Sequence, residues 1–400
     1  MPKLALSDGE QEALTTFVRD LVRTPSPSCQ EGAVARRLAA EMEAVGLESV
    51  HADRAGNVVG RLGSGSGPVL VFNGHMDHVG AGDLAAWSRD PFGASLEAGV
   101  VYGRGACDMK GPLAALVYGA KLLKDSHLPQ RGTLYVVGAV QEETCEGLGM
   151  RLLMEEEGLK PDFVVLGEPS NLVVALGQRG RMEMRVTTRG KASHGSAPER
   201  GDNAIYKMAR LALGVEALNG TLTDDPVLGK GTVSLTIISG GNDHNVVPET
   251  CTAFLDRRLS RGEDEATAVQ EIGHIAAEAG VLAEVEVLNY RSQSYTGLCC
   301  EARLVFPAWD IRQDHPLVRA VFSAAAHVLG HSPGSVIWRF STDGAYTAGV
   351  AGIPTIGFGP GEERYAHTVE DQIRMADVVT AAHVYARLGA LLLDGRLEPA

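Results

Sequence analysis

The sequence predicts an α/β protein with a second, smaller α+β unit inserted into it, and three observations support this prediction. The chain has 400 residues, which is more than one compact core usually holds. In the N-terminal and C-terminal parts of the chain, here called the outer parts, short apolar runs bounded by glycine alternate with amphipathic stretches. This pattern is typical of a sheet covered by helices on both faces. Between about residues 181 and 293, apolar and polar residues alternate, which is typical of strands with one buried face.

The outer parts contain a clear helix start and several buried strands. Residues 7–10 form a capping-box pattern, and apolar residues follow at helical spacing, so a helix is expected there. Further helices are predicted over about 32–46 and 111–124, and from Pro316 onward. Strands are predicted at the apolar runs 57–60, 69–72, 134–140, 163–166 and 354–358.

The inserted unit has a different order of elements. Alternating strands are predicted over 182–186, 233–237, 253–259 and 285–288, with helices over 202–218 and 264–279. The resulting order, strand–helix–strand–strand–helix–strand, is that of a ferredoxin-like unit. We therefore predict a discontinuous main domain of residues 1–180 and 294–400, and an inserted domain of residues 181–293.

Composition and charge exclude several classes of protein. The chain has 36 lysines and arginines against 50 aspartates and glutamates, and its net charge of −14 repels nucleic acid and anionic membranes. The 44% hydrophobic and 22% charged shares exclude extended disorder. The sequence shows no apolar run of membrane-spanning length, no signal-peptide pattern and no disulfide spacing among its six cysteines. A cytoplasmic enzyme with reduced thiols is expected.

Candidate metal ligands follow the predicted strands. His75 and Asp77 end one strand two residues apart, so their side chains point to the same face. Burying them is costly unless they pair or hold a metal, although a capped strand end would also explain them. Asp108 alone fits an N-cap equally well, and the adjacent Glu142 and Glu143 repel each other unless a cation neutralises one. The remaining candidates are Glu168 and His367.

These histidines and carboxylates are expected to meet at one edge of the sheet. In an open α/β sheet, the carboxyl ends of the strands form the binding edge. Two imidazoles and three carboxylates suit two divalent ions with one bridging carboxylate, and Zn²⁺ is expected, with Co²⁺ and Mn²⁺ as alternatives. Such a pair activates water and stabilises a developing oxyanion. The pattern therefore indicates a metal-dependent hydrolase.

The same residues occur in runs that resemble the M20 family of metallopeptidases and deacylases. In chain order these runs are His75-Met-Asp77, Asp108-Met-Lys-Gly111, Gln141-Glu-Glu143, Gly167-Glu168-Pro169, Ser193-His194-Gly195, Asn245-Val-Val-Pro248 and Ala366-His367. Relatives in this family include acetylornithine deacetylase, succinyl-diaminopimelate desuccinylase, aminoacylase and glutamate carboxypeptidase. The resemblance implies a zinc-peptidase-like catalytic domain with a mixed sheet and an inserted lid and dimerisation domain. Residues 292–309 resemble the family branch linked to selenium metabolism.

The resemblance also implies roles for the strand-end residues. The implied ligands are His75, Asp108 and Glu168 for one ion, and Asp108, Glu143 and His367 for the other. Asp77 would hold the other ring nitrogen of His75 and fix its tautomer. Glu142 would be the general base, which takes a proton from the attacking water and delivers it to the leaving amine.

Residues of the inserted unit and of one later loop would meet the substrate. His194 is usually an exposed loop residue in such a sequence context, but the resemblance implies that it donates to the oxyanion, often in the partner's site. Arg258 would hold a substrate carboxylate, since a guanidinium fork fits that anion, and Asn245 lies at another lid strand end. Ser341 and Thr342 resemble the family's loop near the substrate α-carboxylate.

Other candidate residues receive no chemical role. Cys107 has no histidine–aspartate relay around it and is expected to be a packing residue. His78 is expected to be exposed to solvent, and the adjacent Cys299 and Cys300 lack metal-like spacing.

Two classes of function remain open at the level of sequence. One is a di-metal amide hydrolase that removes an N-acyl group from an amino acid, as acetylornithine deacetylase does, or cleaves a dipeptide or a carboxy-terminal residue. Within it, an N-acyl basic or diamino acid is the first expectation for the substrate. The other class is a non-catalytic scaffold, which would lack a ligand or the base, whereas this chain has all of them. We expect a homodimer formed through the inserted domain, with no nucleic-acid or membrane partner.

Overall fold

A nine-stranded mixed sheet forms the centre of the main unit. The computed structural model describes residues 4–63, 65–128 and 131–394. The strands lie in the order Glu48–Ala52, Val58–Leu62, Thr133–Ala139, Val69–His75, Phe163–Leu166, Thr355–Gly357, Val174–Gln178 and Trp309–Asp310, and Ser335–Trp338 also pairs with Val174–Gln178. The central neighbours Thr133–Ala139, Val69–His75 and Phe163–Leu166 run parallel, whereas the Glu48–Ala52 edge is antiparallel. The predicted mixed α/β fold is confirmed.

Both faces of this sheet are buried, as the apolar runs predicted. Along Val69–His75, Leu70 and Phe72 join one hydrophobic cluster, whereas Val71 joins another on the opposite face. The helices of the main unit are Asp8–Val22, Gly32–Ala44, Gly111–Asp125, Leu148–Glu156, Pro316–Leu329, Gly344–Thr347 and Met375–Leu393. Single-turn helical segments lie at Leu84–Ala86, Ala106–Lys110 and Glu363–Tyr365.

Within the described part of the chain, one helix is long and apolar enough to cross a membrane by length and composition alone. This helix, Met375–Leu393, packs along Gly111–Asp125, and 56% of its most apolar window is buried inside the protein. The burial identifies it as a core helix of the main unit. The cytoplasmic location stays a prediction.

The inserted unit has its own antiparallel sheet and its own core. Its strands lie in the order Thr232–Gly240, Thr250–Leu259, Gly180–Arg189 and Ala283–Val287, with the helices Ala204–Thr221 and Glu265–Glu278 on one face. This is the strand order of a ferredoxin-like unit, as the sequence predicted. Along Thr250–Leu259 buried and partly exposed residues alternate, as expected of a sheet covered on one face. The domain limits at 180/181 and 293/294 stay predictions.

The segment after the strand Ala283–Val287 forms more regular structure than the sequence indicated. A hairpin of Asn289–Gln293 and Cys299–Arg303 comes first. Val305–Phe306 then pairs with Gly180–Arg189 of the inserted sheet, and Trp309–Asp310 pairs with Val174–Gln178 of the central sheet. This segment therefore contributes a strand to the inserted sheet and a strand to the central sheet, and so connects the two. Smaller elements are Ser95–Glu97, Val100–Tyr102 and Gln372–Arg374 in one sheet, the pairs Ser193–His194 with Val246–Val247 and Asp224–Asp225 with Gly229–Lys230, and the turn Pro198–Arg200.

Candidate active site

Three parallel strands bring candidate ligands to one edge of the central sheet. His75 is the last residue of its strand, and Asn73 in that strand pairs with Val137 on one side and Leu166 on the other. Glu142 and Glu143 follow the Val137 strand, and Glu168 follows the Leu166 strand, so their side chains lie beside His75. The structure therefore brings these four residues together at one edge of the sheet.

Two loops bring the other candidates to the same edge. Asp108 lies in the Ala106–Lys110 turn, directly before the helix Gly111–Asp125. Asp371 holds this loop, because its carboxylate accepts the backbone N–H groups of Gly105 and Cys107 at 2.7 and 2.9 Å, and it pairs with Arg104 at 3.0 Å. Sequence reasoning missed Asp371, although its position shortly after the His367 run was a usable signal.

The two histidines meet different oxygens of Asp108. His75 Nε2 lies 3.0 Å from Asp108 Oδ1, and His367 Nε2 lies 3.3 Å from Asp108 Oδ2. His367 Nε2 is also 2.9 Å from Glu143 Oε2, whereas His75 Nε2 is 3.7 Å from Glu168 Oε1. The two carboxylate oxygens of Asp108 therefore face the two histidines separately.

Asp77 connects the first histidine with both glutamates. Its Oδ1 lies 3.4 Å from His75 Nδ1 and accepts the backbone N–H of Glu142 at 3.1 Å. Its Oδ2 accepts the backbone N–H of Glu143 at 3.2 Å and the Ser28 hydroxyl at 2.6 Å. Asp77 is fully buried, so this one carboxylate fixes the turn from which both glutamates project.

Burial and crowding strongly perturb the acids and bases of the cluster. Burial raises the pKa of Glu142 and of Glu168 well above the usual range. The charge of Glu168 also raises the pKa of Glu142, and the charge of Asp108 also raises the pKa of Glu168. For His75, burial lowers the pKa, but the charges of Glu142 and Glu168 outweigh it and raise the pKa well above normal. Hydrogen bonds to Asp108 and Glu143 raise the pKa of His367 to about 10.

This donor set fits a pair of divalent cations. Imidazole nitrogens and carboxylate oxygens converge in a buried space, where isolated carboxylates are costly unless cations neutralise them. Potential ligand atoms lie within 4.8 Å of one another in two groups, His75 with Asp108 and Glu143, and His75 with Glu142 and Glu168. These groups overlap with the two ligand sets implied by the resemblance but share His75 between them. The assignment of ligands to each ion stays a prediction.

A cavity of about 460 Å³, here called the catalytic cavity, opens over the cluster. It is lined by Val79, Asp108, Glu142, Glu143, Glu146, Glu168, Pro169, Arg181, Arg258, Phe340, Ser341, Glu363, Ala366 and His367. Of the predicted substrate-binding residues, Arg258 and Ser341 border it. The sequence reasoning missed Glu146 and Arg181, since a single acidic residue beside Glu143 and one arginine at a strand start carry no distinct signal.

Three predicted substrate-contacting residues, His194, Asn245 and Thr342, do not line the cavity in this chain. His194 and Asn245 are exposed, and the ring of His194 bonds the Ser196 hydroxyl at 2.7 Å. Thr342 is fully buried, and its hydroxyl donates to Gln178 Oε1 at 2.5 Å. Their substrate contacts therefore stay predictions.

His78 is buried, so the expectation of an exposed side chain is wrong. Only 2% of the residue is accessible, because its ring packs between the Ser26 loop and Phe92. Its Nε2 accepts the Ser26 backbone N–H at 2.9 Å, and its Nδ1 donates to the Val79 carbonyl at 2.7 Å. Cys107 is fully buried, as expected of a packing residue.

The chain is similar to members of one known protein family. Residues 71–390 match peptidase family M20/M25/M40. "Uncharacterized protein YgeY" of Escherichia coli K12 is 40% identical over 380 residues, covering 94% of each chain. Succinyl-diaminopimelate desuccinylase of Magnetococcus marinus is 30% identical over 385 residues, covering 93% of this chain and 96% of the other.

A solved structure supports the same fold. The YXEP protein of Bacillus subtilis, described as a dinuclear metal-binding peptidase of the M20 family, matches with a TM-score of 0.69 at 18% identity, over 97% of this chain and 100% of the other. The chain therefore belongs to peptidase family M20/M25/M40, whose members are metal-dependent hydrolases of amide bonds.

Proposed function

We propose that this enzyme removes an N-acyl group from an amino acid, using two divalent ions, with Zn²⁺ as the physiological metal. The observation that carries the proposal is the position of Asp108, whose two oxygens face His75 and His367 separately. The proposed ligands are those implied by the resemblance: His75, Asp108 and Glu168 for one ion, and Asp108, Glu143 and His367 for the other. When bound, the ions would lower the pKa of water and polarise the acyl carbonyl.

In this proposal, the protein's own groups carry the proton transfer. Glu142 borders the catalytic cavity, and burial raises the pKa of its carboxyl, which suits a group that must both accept and release a proton near neutral pH. Glu142 takes a proton from the attacking water and gives it to the leaving nitrogen. Asp77 keeps the Glu142 backbone in place and orients the His75 ring.

Arg258 is the proposed partner of the substrate carboxylate. It borders the catalytic cavity, whereas the neighbouring Arg257 is fully buried and pairs with Glu263 inside the inserted unit. The two side chains point to opposite faces because they are consecutive residues of one strand. Asp256 holds the Arg258 guanidinium through two hydrogen bonds of 2.7 and 3.1 Å, which orients it at the wall of the cavity.

We also propose a homodimer in which the inserted domains pair. The strand Thr232–Gly240 lies at an edge of its sheet, and its Ile237 and Ile238 are 57% and 51% exposed. Such an edge favours pairing with another chain. Since His194 is exposed and lies outside the catalytic cavity of its own chain, we propose that it donates to the oxyanion in the partner's site.

A panel of substrates tests the proposal. The zinc-, cobalt- or manganese-loaded protein would be assayed with N-acetyl and N-succinyl amino acids, with dipeptides and with peptides that have a free carboxyl end. Hydrolysis of the N-acyl amino acids at a much higher kcat/KM is expected. A preference for dipeptides or for carboxy-terminal residues would instead assign a peptidase, and metal binding without any turnover would favour the scaffold.

A further inference from the structure

Buried side chains hold every backbone N–H group of the turn that carries the two adjacent glutamates. This segment, residues 140–143, is here called the catalytic turn. In chain order, its four N–H groups donate to Asn57 Oδ1 at 3.0 Å, to Glu31 Oε1 at 3.0 Å, and to the two oxygens of Asp77 at 3.1 and 3.2 Å. All three acceptor residues are fully buried. Removing one of these acceptors would therefore leave a buried N–H group unsatisfied.

Glu31 connects the catalytic turn to the N-terminal part of the main unit. It directly precedes the helix Gly32–Ala44 as its N-cap residue. Its Oε1 accepts the N–H of Cys29 at 3.0 Å as well as the N–H of Gln141, which lies 110 positions later in the chain. Because the helix packs on the central sheet, the position of this carboxylate is set independently of the turn.

Gln141 has a backbone conformation that it would not keep on its own. Its φ is +58°, in the left-handed region, which costs free energy for a residue that has a side chain. Such a conformation persists only where the surrounding structure imposes it. The next residue is Glu142, the proposed base, so a change of backbone conformation at Gln141 would redirect the Glu142 side chain.

We propose that Glu31 is a positioning residue for the general base: it holds Gln141 in its left-handed conformation and so directs the Glu142 carboxylate toward the attacking water. This inference rests on the proposed function. Glu31 does not line the catalytic cavity, so it acts through the turn and not on the substrate. Its loss should therefore lower kcat and leave KM nearly unchanged, since the base acts in the reaction step whereas other groups bind the substrate.

Two substitutions separate the hydrogen-bond acceptor from the rest of the side chain. Glu31→Gln keeps the oxygen that accepts from Gln141, and its amide nitrogen replaces Oε2, which is buried and has no hydrogen-bond partner among the described residues. Because burial raises the pKa of Glu31 to about 7, a neutral side chain is a close substitute. Glu31→Met has a similar length but no acceptor. Both variants would be loaded with metal, and kcat and KM would be measured on the best N-acyl substrate of the panel.

The two variants should differ in kcat and not in KM. In Glu31→Met, kcat is expected to fall about 10–100-fold, the cost of a displaced catalytic group. In Glu31→Gln, kcat should stay within about threefold of the wild type, and KM should stay within about threefold in both variants. Rescue by the amide would show that the acceptor oxygen, and not the charge, positions the base.

A control at the opposite end of the central sheet accounts for a general loss of stability. Asp162 Oδ2 accepts the backbone N–H of Val69 at 2.7 Å, at the first residue of the strand that ends with His75. Asp162→Leu also removes an acceptor from this sheet and should lower the free energy of unfolding. Because the bond lies at the far end of the strand, kcat should stay within about twofold.

Hydrogen–deuterium exchange reports on the catalytic turn without any substrate. The amides of residues 140–143 should exchange slowly in the wild type, with and without metal, and in Glu31→Gln. They should exchange faster in Glu31→Met. The wild-type protein alone shows whether these amides are protected, so the inference can still be tested if Glu31→Met does not fold.

Several results would overturn the inference. These are wild-type kcat in Glu31→Met, equal losses of kcat in both Glu31 variants, an equal loss in Asp162→Leu, or rapid exchange of the catalytic turn in the wild type. If no N-acyl amino acid is hydrolysed, the proposed function fails. The exchange comparison between Glu31→Met and Glu31→Gln then decides by itself whether Glu31 holds the turn.

Discussion

Glu142 and Glu143 are adjacent in the chain, yet their carboxylates meet different groups. Glu143 Oε2 lies 2.9 Å from His367 Nε2, at the open side of the cluster. Glu142 Oε2 lies 3.7 Å from His75 Nε2, the same distance that separates Glu168 from that ring. Distance to His75 therefore does not distinguish a base from a ligand, and the division of roles between the two glutamates requires a measurement.

Replacing each glutamate by alanine should separate metal binding from turnover. Glu142→Ala is expected to keep most of the bound metal and to lose turnover by about 10²–10⁴-fold, the usual contribution of a general base. Glu143→Ala should lose metal as well as turnover. Metal content by elemental analysis and kcat on one substrate measure both effects, with the exposed Glu155→Ala as the control. Wild-type turnover in Glu142→Ala would show that the assigned base is wrong.

His78 should make the protein less stable in mild acid. Burial, together with the charge of Lys110, lowers the pKa of His78 to about 4, whereas an unfolded histidine has a pKa of about 6.5. Between these values the unfolded chain binds a proton that the folded protein does not, so stability falls as the pH falls. The slope contributed by this one residue is at most about 1.4 kcal/mol per pH unit.

A His78→Gln variant tests this pH dependence. It should be less stable than the wild type at pH 7, because the bonds to Ser26 and Val79 are disturbed. Its free energy of unfolding should, however, change less between pH 6.5 and 4. Urea denaturation of both proteins without metal measures this difference. The titrating groups that the two proteins share contribute equally to both pH dependences, so the difference between them reports on His78. Equal slopes for the two proteins would contradict the assignment.

One aromatic side chain, Tyr295, connects the hairpin of Asn289–Gln293 and Cys299–Arg303 to the main unit. The Tyr295 hydroxyl donates to the Gly56 carbonyl at 2.9 Å. The ring lies so close to two glycines that a Cβ on Gly32 would come within 2.9 Å of Tyr295 Cδ2, and one on Gly56 within 2.3 Å of Cε1. The lack of a side chain at Gly32 and Gly56 therefore leaves the space in which the Tyr295 ring packs.

Gly32→Ala should destabilise the protein although it lies in a helix. Alanine in a helix normally stabilises by up to about 1 kcal/mol relative to glycine, but a clash with a packed ring costs about 1–3 kcal/mol. Gly9→Ala, at an equivalent position near the start of Asp8–Val22 with open space around it, should stabilise. In the Tyr295→Ala background, the effect of Gly32→Ala should change sign. Thermal or urea unfolding of the four proteins in this double-mutant cycle checks the prediction.

At the scale of the whole molecule, the two sheets are joined by few strands. The chain enters the inserted unit at Gly180–Arg189 and returns through Val305–Phe306 and Trp309–Asp310. Between the units, Arg181 donates a hydrogen bond to Glu146 at the wall of the catalytic cavity. Closure of such a lid over substrate would expel water and bring donors to the reacting carbonyl. The proposed dimer adds a second chain, whose His194 would complete the site.

Mixing two inactive proteins tests the shared site. His194→Ala and Glu142→Ala should each be inactive alone. After subunit exchange, a hybrid dimer would have one complete site, made from the intact main unit of one chain and the intact inserted unit of the other, so activity should recover in part. Light scattering measures the oligomeric state. A monomer would refute the dimer, and verified exchange without recovery would refute the cross-subunit role.

Local patterns were sufficient to predict the elements with strong periodicity. The capping box at Ser7 and Glu10 starts Asp8–Val22, and the apolar run at 163–166 is the strand Phe163–Leu166. The short strands Ser335–Trp338 and Trp309–Asp310 were missed, because a two- to four-residue strand has too few residues to show a period and forms only through its partners.

The sequence by itself determined the fold class, the inserted ferredoxin-like unit and the set of acidic and histidine residues at strand ends. Those properties depend on periodicity and on the order of residues along the chain, which the sequence contains directly. Only the tertiary structure showed that Asp371 holds the Asp108 loop, that His78 is buried and that Glu146 meets Arg181. These contacts join residues from 35 to 267 positions apart, and such pairs are set by how the elements pack, which no local pattern records.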